Sequence, residues 1–343
     1  MKTDLIDFSR MLLAIAQSPG STAQAAEFAA SRWGDQSKAC LATRDATAGA
    51  STGNWGSPLH GEYASAISAF LGLVRQRSIV GRLAALRRVP YHTPILVQTT
   101  GGQAKWIKEG GGIPVISGAF DRRTIDLRKT GALIVSTNEL LEAPEAEAIL
   151  TTDLARAVAD ASDLAFVDPS NSGVPGEKPA SVTHDAPVVP IGTLADDDIA
   201  SGLASFTGDL TQSAFIAHPE LIASLPSDRF PGASITGGGH IKGVPLLPCN
   251  VLPKDENEEH QLVLIDPASV AYASDDPATQ IKATSQGAIE MTDTPTMDAM
   301  TGAGANVVSM FQTGNVAIAA LRYENWRTER SGAVIRYCTE SVS

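Results

Sequence analysis

Apolar residues recur along this chain at helical spacing in some stretches and in alternation in others, and the changes between the two mark its elements. Leu5, Phe8, Leu12, Ile15 and Ala16 keep a helical spacing up to Pro19-Gly20. Ser21 and Gln24 then form a capping box that opens a second helical run through Phe28 to Trp33. From Gly34 to Pro58 the residues are small and polar, with too little apolar surface to fold alone, which predicts a linker or an arm laid over another surface. Helical periodicity returns from Glu62 to Leu86, with Ile67, Phe70, Leu71 and Val74 on one face.

Between Pro94 and Val135 the pattern becomes strand-like. "ILVQTT" leads into a stretch rich in glycine, from Gly101 to Gly118, after which Ile125, Leu127, Leu133 and Val135 partly alternate. More glycine is present than a tight hairpin needs, so a long two-stranded excursion is predicted, one that is poorly stabilised without a neighbour to rest on. Ser136 and Glu139 read as another capping box. Leu150, Leu154, Val158, Ala161 and Ala165 then define one face of a helix from Glu145 to Val167, with Asp153, Arg156, Asp160 and Asp163 opposite. "DPSNSGVPG" ends it. Residues 180–285 mix short helical and strand patterns without a repeating βαβ unit, with the acidic "KDENEEH" as an exposed hairpin tip. "VVSMFQTGNVAIAALRYENW" is apolar enough to return through the core. The fold class is α+β.

Composition narrows the chemistry. No window approaches the roughly 18 apolar residues of a membrane span. Cys40, Cys249 and Cys338 are widely spaced, which predicts free and mostly buried thiols. A formal net charge of −12 argues against gripping nucleic acid through its phosphates, though it is compatible with enclosing it. Gly49-Ala50-Ser51-Thr52-Gly53 matches a nucleophile elbow in letters only, because no strand delivers Ser51 and no helix leaves it. The histidines show no metal-binding spacing, and Asp196-Asp197-Asp198 reads as a helix start before Ile199. No catalytic, cofactor-binding or metal-binding residue is assigned, and the chain is expected not to be an enzyme.

Taken in order, a series of residues resembles the phage capsid family of HK97-type major head proteins. The series runs through Arg77 to Leu86 with Val89-Pro90, Trp106, Glu109-Gly110, Pro114, Phe120 and Leu127. It continues through Ser136 with Glu139-Leu140-Leu141, Asp153-Leu154, Asp163, Gly173, Pro175, Gly176 and Gly243-Val244-Pro245, and closes with "VSMFQTGNVAIAALRYENW" and Gly332-Ala333-Val334. No single match is specific; the order and spacing from 77 to 335 carry the likeness.

The resemblance implies a subunit that self-assembles into hexamers and pentamers of an icosahedral shell around phage double-stranded DNA, without cofactors. It divides the chain into N-terminal helices and linker (1–56), an N-arm (57–92), an E-loop that lies across an adjacent subunit (93–125), a peripheral domain with a spine helix (126–180), an axial domain (181–285) and return strands (286–343). Arg75, Arg77, Lys105, Trp106, Lys108, Glu109, Arg122 and Arg123 are the candidate contacts between subunits. The implied partners are further copies, a portal protein, and scaffolding or decoration proteins, with no membrane. The place is the virion, after assembly in the host bacterial cytoplasm. Residues 1 to about 50 have the composition of a removable scaffolding segment, and retention is expected. An encapsulin-type nanocompartment or a gene transfer agent shell is the near alternative, and a serine hydrolase around Ser51 the remote one. Some family members weld subunits through a lysine and an asparagine, promoted by a glutamate. Lys105 and Lys108 are suitably placed, but the segment around Gln312 to Asn315 supplies no promoter. Boiled, reduced particles are therefore expected to run as monomer on a denaturing gel, and a ladder of multimers would contradict this.

Overall fold

The computed structural model describes residues 14, 22–33, 62–100, 106–107, 119–141, 146–191, 196–255, 258–274, 280–292, 307–330 and 332–339. Most of the first predicted helix, the Gly34–Pro58 stretch with Cys40 and Ser51, and most of the glycine-rich stretch lie outside them. The first half of the chain forms α1 (Thr22–Trp33), α2 (Glu62–Arg77), α3 (Ile79–Arg82), β1 (Arg87–Arg88), β2 (Ile95–Thr100), β3 (Ala119–Arg123), β4 (Lys129–Thr137), α4 (Asn138–Leu141) and α5 (Ala146–Val167). Then come β5 (Val188–Ile191), α6 (Asp196–Ser205), β6 (Ala214–Ala217), α7 (Pro219–Ser224), β7 (Ala233–Ser234), β8 (Gly238–Ile241), β9 (Val244–Pro248) and β10 (Leu262–Ile265). The last are β11 (Val270–Ser274), β12 (Gln280–Thr284), β13 (Ala288–Glu290), β14 (Val307–Ser309), α8 (Met310–Thr313), β15 (Asn315–Thr328) and β16 (Val334–Thr339). Among the described residues no helix is long and apolar enough to cross a membrane.

The chain folds into two interleaved compact units: 1–77 with 130–159 and 276–322, and 78–129 with 160–275 and 323–343. The first unit has a core made largely of alanines. Ala25, Ala26 and Ala29 of α1, and Ala155 and Ala159 of α5, join Phe70, Val74, Leu154, Val158, Val316 and Ile318. Small side chains let helices approach closely, and the core excludes water with few bulky residues. β12 pairs antiparallel with the first half of β15, from Gln280 opposite Leu321 to Thr284 opposite Ala317. Gly314 in the left-handed region (φ 65°) ends α8 and turns the chain into β15.

The second unit is built around a seven-stranded mixed sheet in the order β5-β16-β10-β6-β9-β8-β7. Its central strands read "AFIA" and "LVLI" and are buried at every position. That is the signature of a strand covered on both faces. Ala214, Ile216, Val263 and Ile265 point into one core, with Val80, Phe166 and Trp326. Phe215, Ala217, Leu262 and Leu264 point into the other, with Ile199, Leu246 and Tyr337. Cys249 and Cys338 are buried and not joined in a disulfide, as expected of them.

Four sequence expectations shift in detail. The run from Glu62 to Leu86 breaks at Ser78 into α2 and the short α3. In the stretch read as alternating strands, Ile125 and Leu127 fall between β3 and β4, with Ile125 buried. The cap of α4 is Thr137, whose Oγ1 accepts from the Leu140 amide at 3.2 Å, because β4 continues through Ser136. Along α5, Asp153 pairs with Arg156 as expected, but Ala161 is exposed and Asp163 is buried.

Two adjacent glycines near the β7–β8 turn separate backbone strain from lack of room. Gly237 and Gly238 have φ of 86° and 84°; a Cβ at Gly237 meets nothing within 4 Å, whereas one at Gly238 overlaps the Leu246 carbonyl of β9. Gly237→Ala is expected to cost about 1 kcal/mol for the left-handed backbone alone. Gly238→Ala is expected to cost at least about 2 kcal/mol more through displacement of the strand pair. Urea denaturation of the unassembled chains reads the difference, and equal losses would contradict it.

Candidate functional site

The break at Ser78 has a definite cause. The Ser78 side chain does not cap α3. Instead its hydroxyl donates to Asp163 Oδ1 at 2.7 Å, and the Ile79 amide donates to both carboxylate oxygens at 2.9 Å. A carboxylate 84 residues away thus does the work of a local N-cap. Both groups are enclosed, with Ser78 fully buried and Asp163 4% exposed. Burial pushes the Asp163 carboxyl up to about 6, while the hydrogen bonds from Ser78 and the Ile79 and Val80 amides pull it the other way.

The other end of α5 is closed by the loop that follows it. Ser181 Oγ donates to the Phe166 carbonyl at 2.7 Å and Thr183 Oγ1 to the Val167 carbonyl at 2.8 Å, and Asn171 Nδ2 reaches the Ala165 carbonyl at 2.8 Å. These carbonyls have no partners within the helix, and the loop supplies the missing donors. Trp326 fixes the same corner, its ring edge-on to Phe166 and its indole N–H donating to the Ala180 carbonyl at 2.9 Å.

The predicted contact residues that are described fall on several elements. Arg75 and Arg77 lie exposed at the end of α2 in the first unit. Trp106 and Ile107 lie between β2 and β3 in the second unit, Trp106 wholly exposed. Arg122 is exposed and Arg123 half-buried on β3, while Lys105, Lys108 and Glu109 lie outside the described residues. β2 and β3 form a two-stranded sheet of their own. The first unit further exposes Leu133, Leu140, Ile149, Val307 and Phe311, the last 77% exposed.

One cluster was not legible in the sequence. His218 caps α7, its Nδ1 accepting from the Glu220 amide at 3.2 Å. Its ring stacks on His260, with centroids 4.2 Å apart and planes 3° from parallel, and His260 Nε2 lies 2.7 Å from Glu220 Oε2. Partial burial first, and the neighbouring His260 second, hold His218 below the usual histidine range. The bond from His260 holds the exposed Glu220 below the usual carboxylate range. The sequence separation of 40 residues between Glu220 and His260 hid this meeting.

Comparison with known proteins now adds the family. The phage capsid family profile matches residues 65–323. The chain belongs to the phage capsid family. It is 30% identical to the "Capsid polyprotein" of Pseudomonas phage PAJU2, in an alignment covering 86% of this chain and 47% of that protein. The capsid-family chain thus spans about half the length of that relative. Among solved structures, a chain of Gordonia phage Cozz superposes with a TM-score of 0.55 at 16% identity, covering 77% of this chain and 87% of that one. A chain from the capsid of a native GTA particle gives 0.51 at 15% identity, covering 78% and 91%. These likenesses establish the α+β, HK97-like fold of this family member.

The Asp163 site of the capsid-family chain has a definite pH signature. The folded state keeps a proton up to about pH 6 that an ordinary aspartate releases near 4. Stability of the unassembled chain should therefore fall as pH rises through that window. Asp163→Asn keeps an acceptor oxygen and abolishes the titration, so that part of the pH slope is expected to disappear. Asp163→Ala strands a buried hydroxyl and amide and should cost about 2 to 4 kcal/mol. Urea midpoints at several pH values read both effects; an Asn variant with the parent's slope would contradict the assignment.

Proposed function

We propose that this chain is the shell-forming subunit of a phage head, self-assembling into hexamers and pentamers of an icosahedral particle that encloses double-stranded DNA. The observation that carries this reading is the β2–β3 pair with the wholly exposed Trp106. Two strands alone are marginal in water, and a bare tryptophan gains by burial against a partner. Residues 93–125 are read as the E-loop lying across an adjacent copy, and residues 1–56 and 57–92 as N-terminal segment and N-arm. Residues 126–180 with 286–343 are assigned to the peripheral domain and 181–285 to the axial domain. Arg75, Arg77, Lys105, Trp106, Lys108, Glu109, Arg122 and Arg123 are the contact residues of this scheme.

The burial of Ala25, Ala26 and Ala29 in the first unit's core favours retention of the N-terminal segment, since removing it would strip that core. The net charge of −12 suits a container that does not hold packaged DNA by its phosphates. Portal and scaffolding or decoration proteins complete the list of partners, with assembly in the host cytoplasm and residence in the virion. A non-catalytic role is favoured by how the polar groups near α5 are used. Ser181 donates its hydroxyl to a backbone carbonyl, and His184 Nδ1 lies 3.1 Å from the Pro169 carbonyl, so both groups serve the loop.

Trp106→Ala separates assembly from folding. The variant is expected to keep the parent's unfolding free energy in urea within about 0.5 kcal/mol, because an exposed side chain leaves no cavity behind. It should form closed shells only at higher protein concentration, as read by sedimentation velocity and negative-stain microscopy. Shell formation unchanged from the parent would remove Trp106 from the contact, and a parent chain that forms no closed shells would overturn the function.

A further inference from the structure

His218 at the end of β6, Glu220 in the first turn of α7 and His260 at the base of the 254–260 hairpin meet on one side of the second unit. We propose that these three side chains bind a single divalent transition-metal ion of the zinc class, with water completing the coordination. Two imidazoles and one carboxylate are a donor set suited to zinc, nickel or cobalt and poorly suited to calcium or magnesium.

The spacing is near what an ion needs. One ligand atom from each residue can be chosen so that all lie within 4.8 Å of one another. Tetrahedral zinc with bonds of about 2.0 to 2.1 Å sets its ligands about 3.4 Å apart, a difference that side-chain rotation can close. The stack requires a ring to rotate, because stacked imidazoles lie in separate parallel planes and one ion cannot lie in both.

His218 is held on two sides. Its Nδ1 accepts from the Glu220 amide while the ring donates to the Asn250 carbonyl, so the proton is on Nε2 and an ion at Nδ1 takes the lone pair that the Glu220 amide now uses. A carbonyl on the far nitrogen is the usual support of a ligating histidine. His260 is freer: its buried Nδ1 has no hydrogen-bond partner, and its Nε2 bonds only to Glu220. Binding gives up the stack, the His260–Glu220 bond and the bond from the Glu220 amide to His218 Nδ1, and the ion takes the place of the hydrogens in those two bonds. Lys254, which bridges to His260 across the hairpin base, places an opposing positive charge nearby. A bound ion would fasten α7 to the hairpin and raise the unfolding temperature of the chain with the logarithm of the free ion concentration above its Kd.

Cobalt chloride and zinc chloride are the probes, added to purified unassembled chain and to assembled particles. Equilibrium dialysis is expected to show one zinc per chain, and cobalt should give the visible absorption of a four-coordinate site. Glu220→Gln and His260→Gln should each weaken binding by roughly tenfold or more, and Lys254→Gln should strengthen it. Glu220 is exposed, so its variant carries the test even if His260→Gln fails to fold. Zinc binding that is weaker than one per chain at saturation, or that survives Glu220→Gln unchanged, would overturn the site.

Discussion

The buried carboxylate of Asp163 is the constraint around which the second unit is arranged. It lies within α5 and fixes the first turn of α3 through Ser78 and Ile79. That bond sets where the α2 helix run ends, and it delivers Ile79, Val80, Leu83 and Leu86 into the core shared with Phe166, Val167 and Trp326. A carboxylate kept from water is costly unless its oxygens are hydrogen-bonded. Here a hydroxyl and backbone amides provide those bonds, and raised proton affinity is what remains of the cost. The geometry is therefore specific as well as stabilising: adjacent residues bring a hydroxyl and a free amide to one carboxylate.

The central sheet and Trp106 stand at opposite extremes of burial. β6 and β10 bury every side chain on one face or the other. Among the described residues β2 and β3 pair with each other alone, with Trp106 bare in the connection between them. A saturated sheet beside an exposed tryptophan is what the proposed assembly would require, with Trp106 as apolar surface for a neighbour to cover.

How much of this was legible in the sequence depended on whether the determining contacts were local. α5, the return strand β15, the hairpin tip at 254–260 and the α6 start at Asp196 follow from periodicity and turn residues, which act over a few positions. The two-stranded excursion followed from its glycine content. Asp163 was misplaced on the polar face because its sequence neighbours Asp153, Arg156 and Asp160 are solvated, whereas its partners Ser78, Ile79 and Val80 lie far away along the chain. The same holds for His218, Glu220 and His260, which are joined by the pairing of β6 with β10 from Ala214 opposite Ile265 to Ala217 opposite Leu262. Local spacing carries no sign of such a meeting. The family likeness, by contrast, was readable because it rested on the order of many weak matches along the chain.

The central claim is that copies of this chain complete one another in a closed shell. Electron cryomicroscopy of particles formed by the expressed protein tests it most directly. The account predicts a closed icosahedral shell in which residues 93–125 of each subunit lie over an adjacent copy and Trp106 is covered by it. A shell in which Trp106 remains in solvent and that segment folds back on its own subunit would contradict it.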